Sequence, residues 1–264
     1  MKSIRETLQI NATNIKIIAV VLMFINHIHQ MFNVYGAPVW LTWLGRPVFP
    51  MFLFIMAESF YHTKNVKKLL IRLLAFSIGM TVLNNIIGMI FPHENVQLIN
   101  NAFGTFFIAT LYMFLADMLK NAFGKSARKA VFATALCLVP IITAIPALVL
   151  TQLENPPYVL IRIFMHVPSL ILVEGGFAMV LIGVLFYLFR KWRMLQVAVL
   201  ILFSILAFVS NSSSPQWMMV FAAIPMLLYN GERGRGMKNF FYIFYPAHIY
   251  LLYIVSALLQ GRLH

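Results

Sequence analysis

Residues 17–34 read IIAVVLMFINHIHQMFNV and contain no Lys, Arg, Asp or Glu. At ~1.5 Å rise per residue such a helical run reaches ~27 Å, most of a ~30 Å hydrocarbon layer. A titratable ring inside it, His27, costs free energy unless it faces a cavity or a polar partner, so its default reading is a functional site. The far end of the chain repeats the pattern, because residues 241–255, FYIFYPAHIYLLYIV, enclose His248. Two intramembrane histidines, one near each terminus, are the strongest clue to function.

The 264 residues are 61% hydrophobic, with 20 basic and 7 acidic side chains. No soluble domain of this size hides that much apolar surface in one core. The class expected is an all-α polytopic helix bundle forming one integral-membrane domain over 1–264. Continuous apolar runs without period-two alternation argue against a β-barrel. Expected spans are 15–35, 44–63, 68–91, 103–119, 130–150, 166–189, 195–210, 216–230 and 239–259. Basic connections, such as those with Lys64, Lys67 and Lys68 or Arg233, Arg235 and Lys238, alternate along the chain with non-basic ones such as PHENVQLINN at 92–101. The positive-inside rule then gives nine spans in the cytoplasmic (inner) membrane, the amino terminus inside and the carboxyl terminus outside. The net charge of +13 is therefore a topology signal, and nucleic acid is not expected as a partner. The segment 151–168, with prolines at 156, 157 and 168, reads as a short interfacial or re-entrant helix. The first apolar run is too long for a secretory h-region and reads as an uncleaved span. Cys137 is the single cysteine, so no internal disulfide or cysteine-based metal cluster is expected.

Lys16 and His27 are eleven positions apart, about three turns, and project from nearly one face. They read either as a cation at a cavity mouth with a base inside it, or as a snorkelling anchor with a bonded histidine. His29 points to the opposite face. Tyr242, Tyr245 and His248 recur every three residues as a polar stripe interrupted by Pro246, which leaves the Tyr242 carbonyl without its helical donor. Arg46, in GRPVFPMF (45–52), stands close in depth to His27 as a headgroup anchor or an active-site cation. Glu58 and His62 are i, i+4 neighbours, and Glu58 calls for an internal partner. Arg162, His166 and Glu174 read as an external rim, and Asp117 with Lys120 as a surface pair. No phosphate loop, zinc motif, nucleophile elbow or Cys-His pair is present. General-base chemistry by a neutral histidine in a membrane cavity is what remains.

At these residues the sequence resembles the TraX-type F-pilin acetylase family, itself similar to the membrane acyltransferase-3 superfamily. KIIAVVLMFINHIHQMF (16–32) resembles the first span, with a basic residue, ten positions and then histidine. GRPVFPMF resembles the Gly-Arg-x-x-x-Pro opening of the second, and FFYIFYPAHIYLL (240–252) the Tyr-x-x-Tyr-x-x-His last span. The resemblance implies transfer of an acyl group, usually acetyl from cytoplasmic acetyl-CoA, to an acceptor at the membrane or its outer face; in the pilin branch the acceptor is a pilin amino terminus. By position His27 would be the base, with Arg46, Tyr245 and His248 completing the catalytic site. Lys16 would favour the nucleotide end of CoA, with Tyr242, Glu58 and Asn26 among the substrate-binding residues. Two positions depart from the pattern: Asn26 stands where the pilin branch has Asp, and Lys16 where the superfamily has Arg. Membrane lipids and an envelope acceptor are the expected partners, and no metal is expected. The rival classes are a proton-coupled transporter or lipid flippase, and a non-catalytic factor for pilus or conjugation assembly.

Overall fold

A computed structural model describes residues 9–123, 125–153, 157, 160, 164 and 167–263. Its elements are α1 (Ala12–Phe32), a 3-10 turn, α2 (Trp40–Gly45), α3 (Val48–Tyr61), α4 (Val66–Ile90), α5 (Ala102–Ala122), α6 (Ala127–Ile142), α7 (Ile145–Leu150), α8 (Gly176–Leu188), α9 (Arg193–Ser210), a 3-10 helix (Pro215–Ala222), α10 (Ala223–Leu228) and α11 (Lys238–Leu263). Among the described residues the only β pairing is one isolated parallel bridge, Ile10 to Tyr229. Among the described residues six stretches are long and apolar enough to cross a membrane: Ala12–Tyr35, Trp40–Tyr61, Val66–Ile90, Ala102–Ala122, Arg193–Ser210 and Asn239–Gly261. The chain is a multi-pass membrane protein.

Three expected spans come out interrupted. Residues 130–150 divide at Thr143–Ala144, where the Ala144 amide bonds the Ile141 carbonyl at 3.1 Å, a tightened turn before Pro146. In 166–189 the helix starts only at Gly176, because Gly175 and Gly176 hold left-handed backbone (φ +76° and +58°) that other residues rarely adopt. In 216–230 the chain is a 3-10 helix as far as Ala222, started by Pro215 and by the Ser214 side chain accepting from the Gln216 amide. Arg162 and His166 lie outside the described residues, as does most of 154–166.

The chain forms two compact units. The first comprises Met1–Met56, Asn84–Leu98 and Phe189–His264, and the second Ala57–Leu83 and Ile99–Leu188. In the first unit α1 and α11 lie side by side and run in the same sense, as their paired contacts show. Near the start of α1, the Ile10 amide bonds the Leu228 carbonyl at 3.0 Å and the Asn230 amide bonds the Ile10 carbonyl at 3.0 Å. The Thr13 hydroxyl shares its proton between the carbonyls of Arg233 (3.1 Å) and Arg235 (2.7 Å). Near the other end, the Ser256 hydroxyl donates to the Met31 carbonyl at 2.5 Å and Tyr35 donates to the Ser256 carbonyl at 3.0 Å. Between these ends Ile15, Ala19, Met31 and Ile249 are buried. The Arg193 guanidinium opens α9 between two aromatic faces, 4.4 Å from the Phe54 ring and 5.1 Å from that of Tyr229, a cation–π arrangement.

In the second unit α5 packs against α6 and α8. Asn101 caps α5: its side-chain oxygen accepts from the Gly104 amide, and its Nδ2 donates to the Ser77 carbonyl (2.9 Å) and to Thr81 Oγ1 (2.8 Å). The Asn101 amide donates to Glu174 Oε2 at 2.7 Å, which places a carboxylate at the positive end of the helix. Glu174 is thus a cap partner rather than part of an open rim. Asp117 accepts from the Tyr187 hydroxyl at 2.6 Å, so the surface pair expected with Lys120 gives way to an inter-helix bond. The helix carrying Glu58 ends at Tyr61, and His62, just past the end, packs edge-on against Tyr61.

Loop 91–96 of the first unit contains a further histidine, His93. His93 Nδ1 accepts from the amides of Asn95 and Val96, each at 3.2 Å, so the ring proton is on Nε2 and donates to Ser256 Oγ at 3.0 Å. Burial pushes its pKa below the ordinary value, and neighbouring Glu94 offsets part of that shift. A base with a lowered folded-state pKa adds stability above the unfolded value near ~6.5, and that stability is lost as pH falls through the window below it. Between about pH 7.5 and about pH 5, hydrogen-exchange protection at Asn95 and Val96, corrected for intrinsic rate, should fall in the wild type. It should stay level in His93→Gln; equal losses in both would remove His93 as the cause.

Candidate active site

α1 and α11 bring the two intramembrane imidazoles together. His27 Nδ1 lies 2.7 Å from His248 Nε2, and the ring centroids are 4.9 Å apart at 28°. Both residues are 4% exposed. The second nitrogen of His248, Nδ1, is 2.6 Å from the Phe244 carbonyl one turn earlier. A carbonyl only accepts, so His248 Nδ1 carries a proton. In a neutral His248 the Nε2 is then an acceptor, and His27 must donate to it through Nδ1–H. The ring proton of neutral His27 is thereby placed on Nδ1, and its Nε2 holds the lone pair. One backbone carbonyl fixes the tautomers of two side chains.

Aromatic rings hold this pair in place. The Phe244 ring stacks on His248 at 4.6 Å and 16°, and Phe24 (6.0 Å, 51°) and Tyr245 (6.1 Å, 57°) make tilted contacts with the same ring. Phe244 and His248 are four apart on α11, the spacing at which helical side chains meet. The helix continues through Pro246, so the turn that sets this spacing is kept.

A second polar chain leaves the residue beside His27. Asn26 Oδ1 accepts from the Thr42 hydroxyl at 3.1 Å. Thr42 in turn receives the Arg46 guanidinium through its own carbonyl (Nε, 3.2 Å) and through its hydroxyl (Nη2). Arg46 Nη1 donates to Gln216 Oε1 at 3.2 Å. The Gly45 backbone lies directly against the Asn26 side chain, and a Cβ there would overlap Asn26 Cβ, Cγ and Oδ1. The Gly-Arg dipeptide therefore combines two needs: glycine lets α2 approach α1, and arginine then reaches back to Thr42.

Lys16 Nζ lies 5.6 Å above the Phe241 ring, on the next turn of α11 below Tyr245. Tyr242 is half-buried on the same helix and Tyr245 is buried. The structure thus gathers His27, His248 and Tyr245 in one aromatic nest, with Lys16 and Tyr242 toward the start of α11. Arg46 hydrogen-bonds Thr42 and Gln216 rather than either histidine. Glu58 falls in the second unit. Sequence reasoning did not single out Phe244, Thr42 or Gln216; Phe244 alone had a signal, its i, i+4 spacing from His248.

Gly45→Ala should overpack the α1–α2 contact and lower stability by about 1–3 kcal/mol, read as a reduced melting temperature in detergent. Gly36→Ala, which has open space but a left-handed φ of +88°, separates a steric effect from a backbone one. An unchanged melting temperature for Gly45→Ala would mean the two helices do not pack this closely.

A family model described as TraX protein matches residues 11–256, a stretch that includes Lys16, His27, Arg46, Tyr245 and His248. No curated protein and no solved structure matches the chain. With nearly its whole length matched by that one model, the chain belongs to the TraX protein family.

Proposed function

We propose that this chain is a membrane acyltransferase that moves an acetyl group from cytoplasmic acetyl-CoA to an acceptor amine or hydroxyl at the membrane or its outer face. TraX membership implies a membrane protein associated with pili or conjugation, so a pilin amino terminus leads the acceptor classes. The observation that carries this reading is the hydrogen-bonded row from the Phe244 carbonyl through His248 to His27. It leaves His27 Nε2 as a buried, oriented base in an apolar helix pair.

In this mechanism His27 Nε2 takes the proton of the acceptor N–H or O–H as the acceptor's electron pair attacks the thioester carbonyl. The new C–N or C–O bond forms and the C–S bond breaks. The CoA sulfur leaves as thiolate and recovers the proton from His27, so no charge or covalent acyl-enzyme remains. His248 accepts from the His27 Nδ1–H throughout and stabilises the transient imidazolium, the role of an orienting partner. Tyr245, packed beside His248, supplies the hydroxyl donor for the developing oxyanion. Arg46 is left out of that role, since its hydrogen bonds hold it against Thr42 and Gln216 and not against either histidine.

The nine-span topology read from the loop charges suits this direction of transfer. In the nine-span arrangement with a cytoplasmic amino terminus, Lys16 lies at the inner face of the cytoplasmic membrane. The carbonyls of Arg233 and Arg235 are bonded to Thr13, three residues before Lys16. Lys16, Arg233 and Arg235 together make a cationic end suited to the phosphates of CoA. A proton-coupled transporter is the weaker reading: the histidine row ends on a backbone carbonyl, which is too poor a base to pass a proton onward.

Purified protein with radiolabelled acetyl-CoA and envelope acceptors tests the proposal. His27→Ala, still folded, should lose about 10²–10⁴-fold in rate. Lys16→Ala should raise the apparent KM for acetyl-CoA and largely keep kcat. Acetylation by His27→Ala at the wild-type rate would end the assignment; CoA-independent flux in liposomes would favour transport.

A further inference from the structure

The polar chain at Arg46 lies apart from the histidine row, and the acyl-transfer reading gives it no task. A guanidinium is always charged, and within a spanning segment it needs compensation. Here every acceptor it meets among the described residues is neutral: the Thr42 carbonyl, the Thr42 hydroxyl and Gln216 Oε1. Asn26, one hydroxyl further on, is an uncharged amide. The positive charge is therefore oriented but not neutralised by these residues.

The orientation is specific. Of five guanidinium N–H groups, Nε and one of Nη2 point to Thr42 and one of Nη1 to Gln216. One N–H on each terminal nitrogen is left for another acceptor, and an oxyanion can accept from two such donors. A headgroup anchor that snorkels loosely would have no reason to be held from two elements, α2 and the 3-10 helix Pro215–Ala222.

Its surroundings indicate which oxyanion. Trp40 and Trp43 on α2 are 50% and 43% exposed, and Val39 and Leu44 beside them are also exposed. Trp217 follows Gln216 directly on the 3-10 helix. Tryptophans concentrate at headgroup depth, where lipid phosphates lie, and exposed aliphatic side chains beside them suit acyl chains.

We propose that Arg46, held by Thr42 and Gln216, is a binding site for the phosphate of a phospholipid headgroup. The site does not depend on the acyltransferase reading. Its charge would be satisfied by one phosphodiester, giving charge-assisted hydrogen bonds that a neutral lipid cannot make.

Native mass spectrometry of the full-length protein, titrated separately with phosphatidylglycerol, diacylglycerol of matched chains and inorganic phosphate, tests this. The wild type should retain phosphatidylglycerol with at least about tenfold higher affinity than diacylglycerol, and Arg46→Gln should lose that preference. Asn26→Asp brings a carboxylate within one hydroxyl of the guanidinium; it should weaken phosphatidylglycerol about tenfold and leave diacylglycerol unchanged. It keeps the test decisive if Arg46→Gln fails to fold. Equal retention of phosphatidylglycerol by Arg46→Gln or Asn26→Asp and by the wild type would overturn the proposal. Inorganic phosphate displacing the lipid at equal concentration would also overturn it, by showing a site for free phosphate.

Discussion

The hydrogen bond from His27 Nδ1 to His248 Nε2 depends on a carbonyl that takes no part in any reaction. Because the Phe244 oxygen holds the proton of His248 Nδ1, His248 must accept through its other nitrogen, and His27 must point its own proton inward. A single helical turn of α11, with Phe244 stacked on the ring it anchors, therefore settles the base in a different helix. Free imidazoles choose either tautomer at little cost; here two fixed contacts make the choice.

An N···N contact of 2.7 Å is sensitive to helix register. Sliding α1 against α11 by one turn, ~5.4 Å, would separate the rings and take the nitrogens out of hydrogen-bond range. The structure meets this by tying the parallel pair at both ends. The Ile10–Tyr229 bridge and the Thr13 hydroxyl hold the basic loop at one end, while Ser256, Tyr35 and His93 close the other. Lys16 lies inside the first tie and the histidines midway. The ties of the first unit thus serve a site that neither helix could build alone.

The long helices were legible because hydropathy is a one-dimensional property: 12–35, 66–90 and 239–261 follow from composition almost directly. The breaks were not. Thr143–Ala144, the Gly175–Gly176 corner and the 3-10 stretch 215–222 sit inside apolar runs, where a turn costs no hydropathy and leaves little trace. For the site, the eleven-residue interval from Lys16 to His27 and the three-residue stripe ending at His248 brought forward residues that the fold places along one helix pair. Spacing on separate helices says nothing about which nitrogen faces which, so the pairing needed coordinates. Thr42 and Gln216 were hidden for another reason: an interfacial Thr or Gln looks the same in a loop as in a charge network. Gly45 and Arg46 stood together in the sequence, yet only the packing against Asn26 shows why the small residue precedes the large one.

The central claim is that the Phe244–His248–His27 row leaves the lone pair of His27 on Nε2. Ring nitrogen-15 shifts of selectively labelled histidines at neutral pH, assigned through His27→Gln and His248→Gln, measure this directly. Nδ1–H signatures for both rings, with that of His27 losing its hydrogen-bonded shift in His248→Gln, are the result this account requires. An Nε2–H tautomer at His27, or a shift unaffected by His248→Gln, would contradict it.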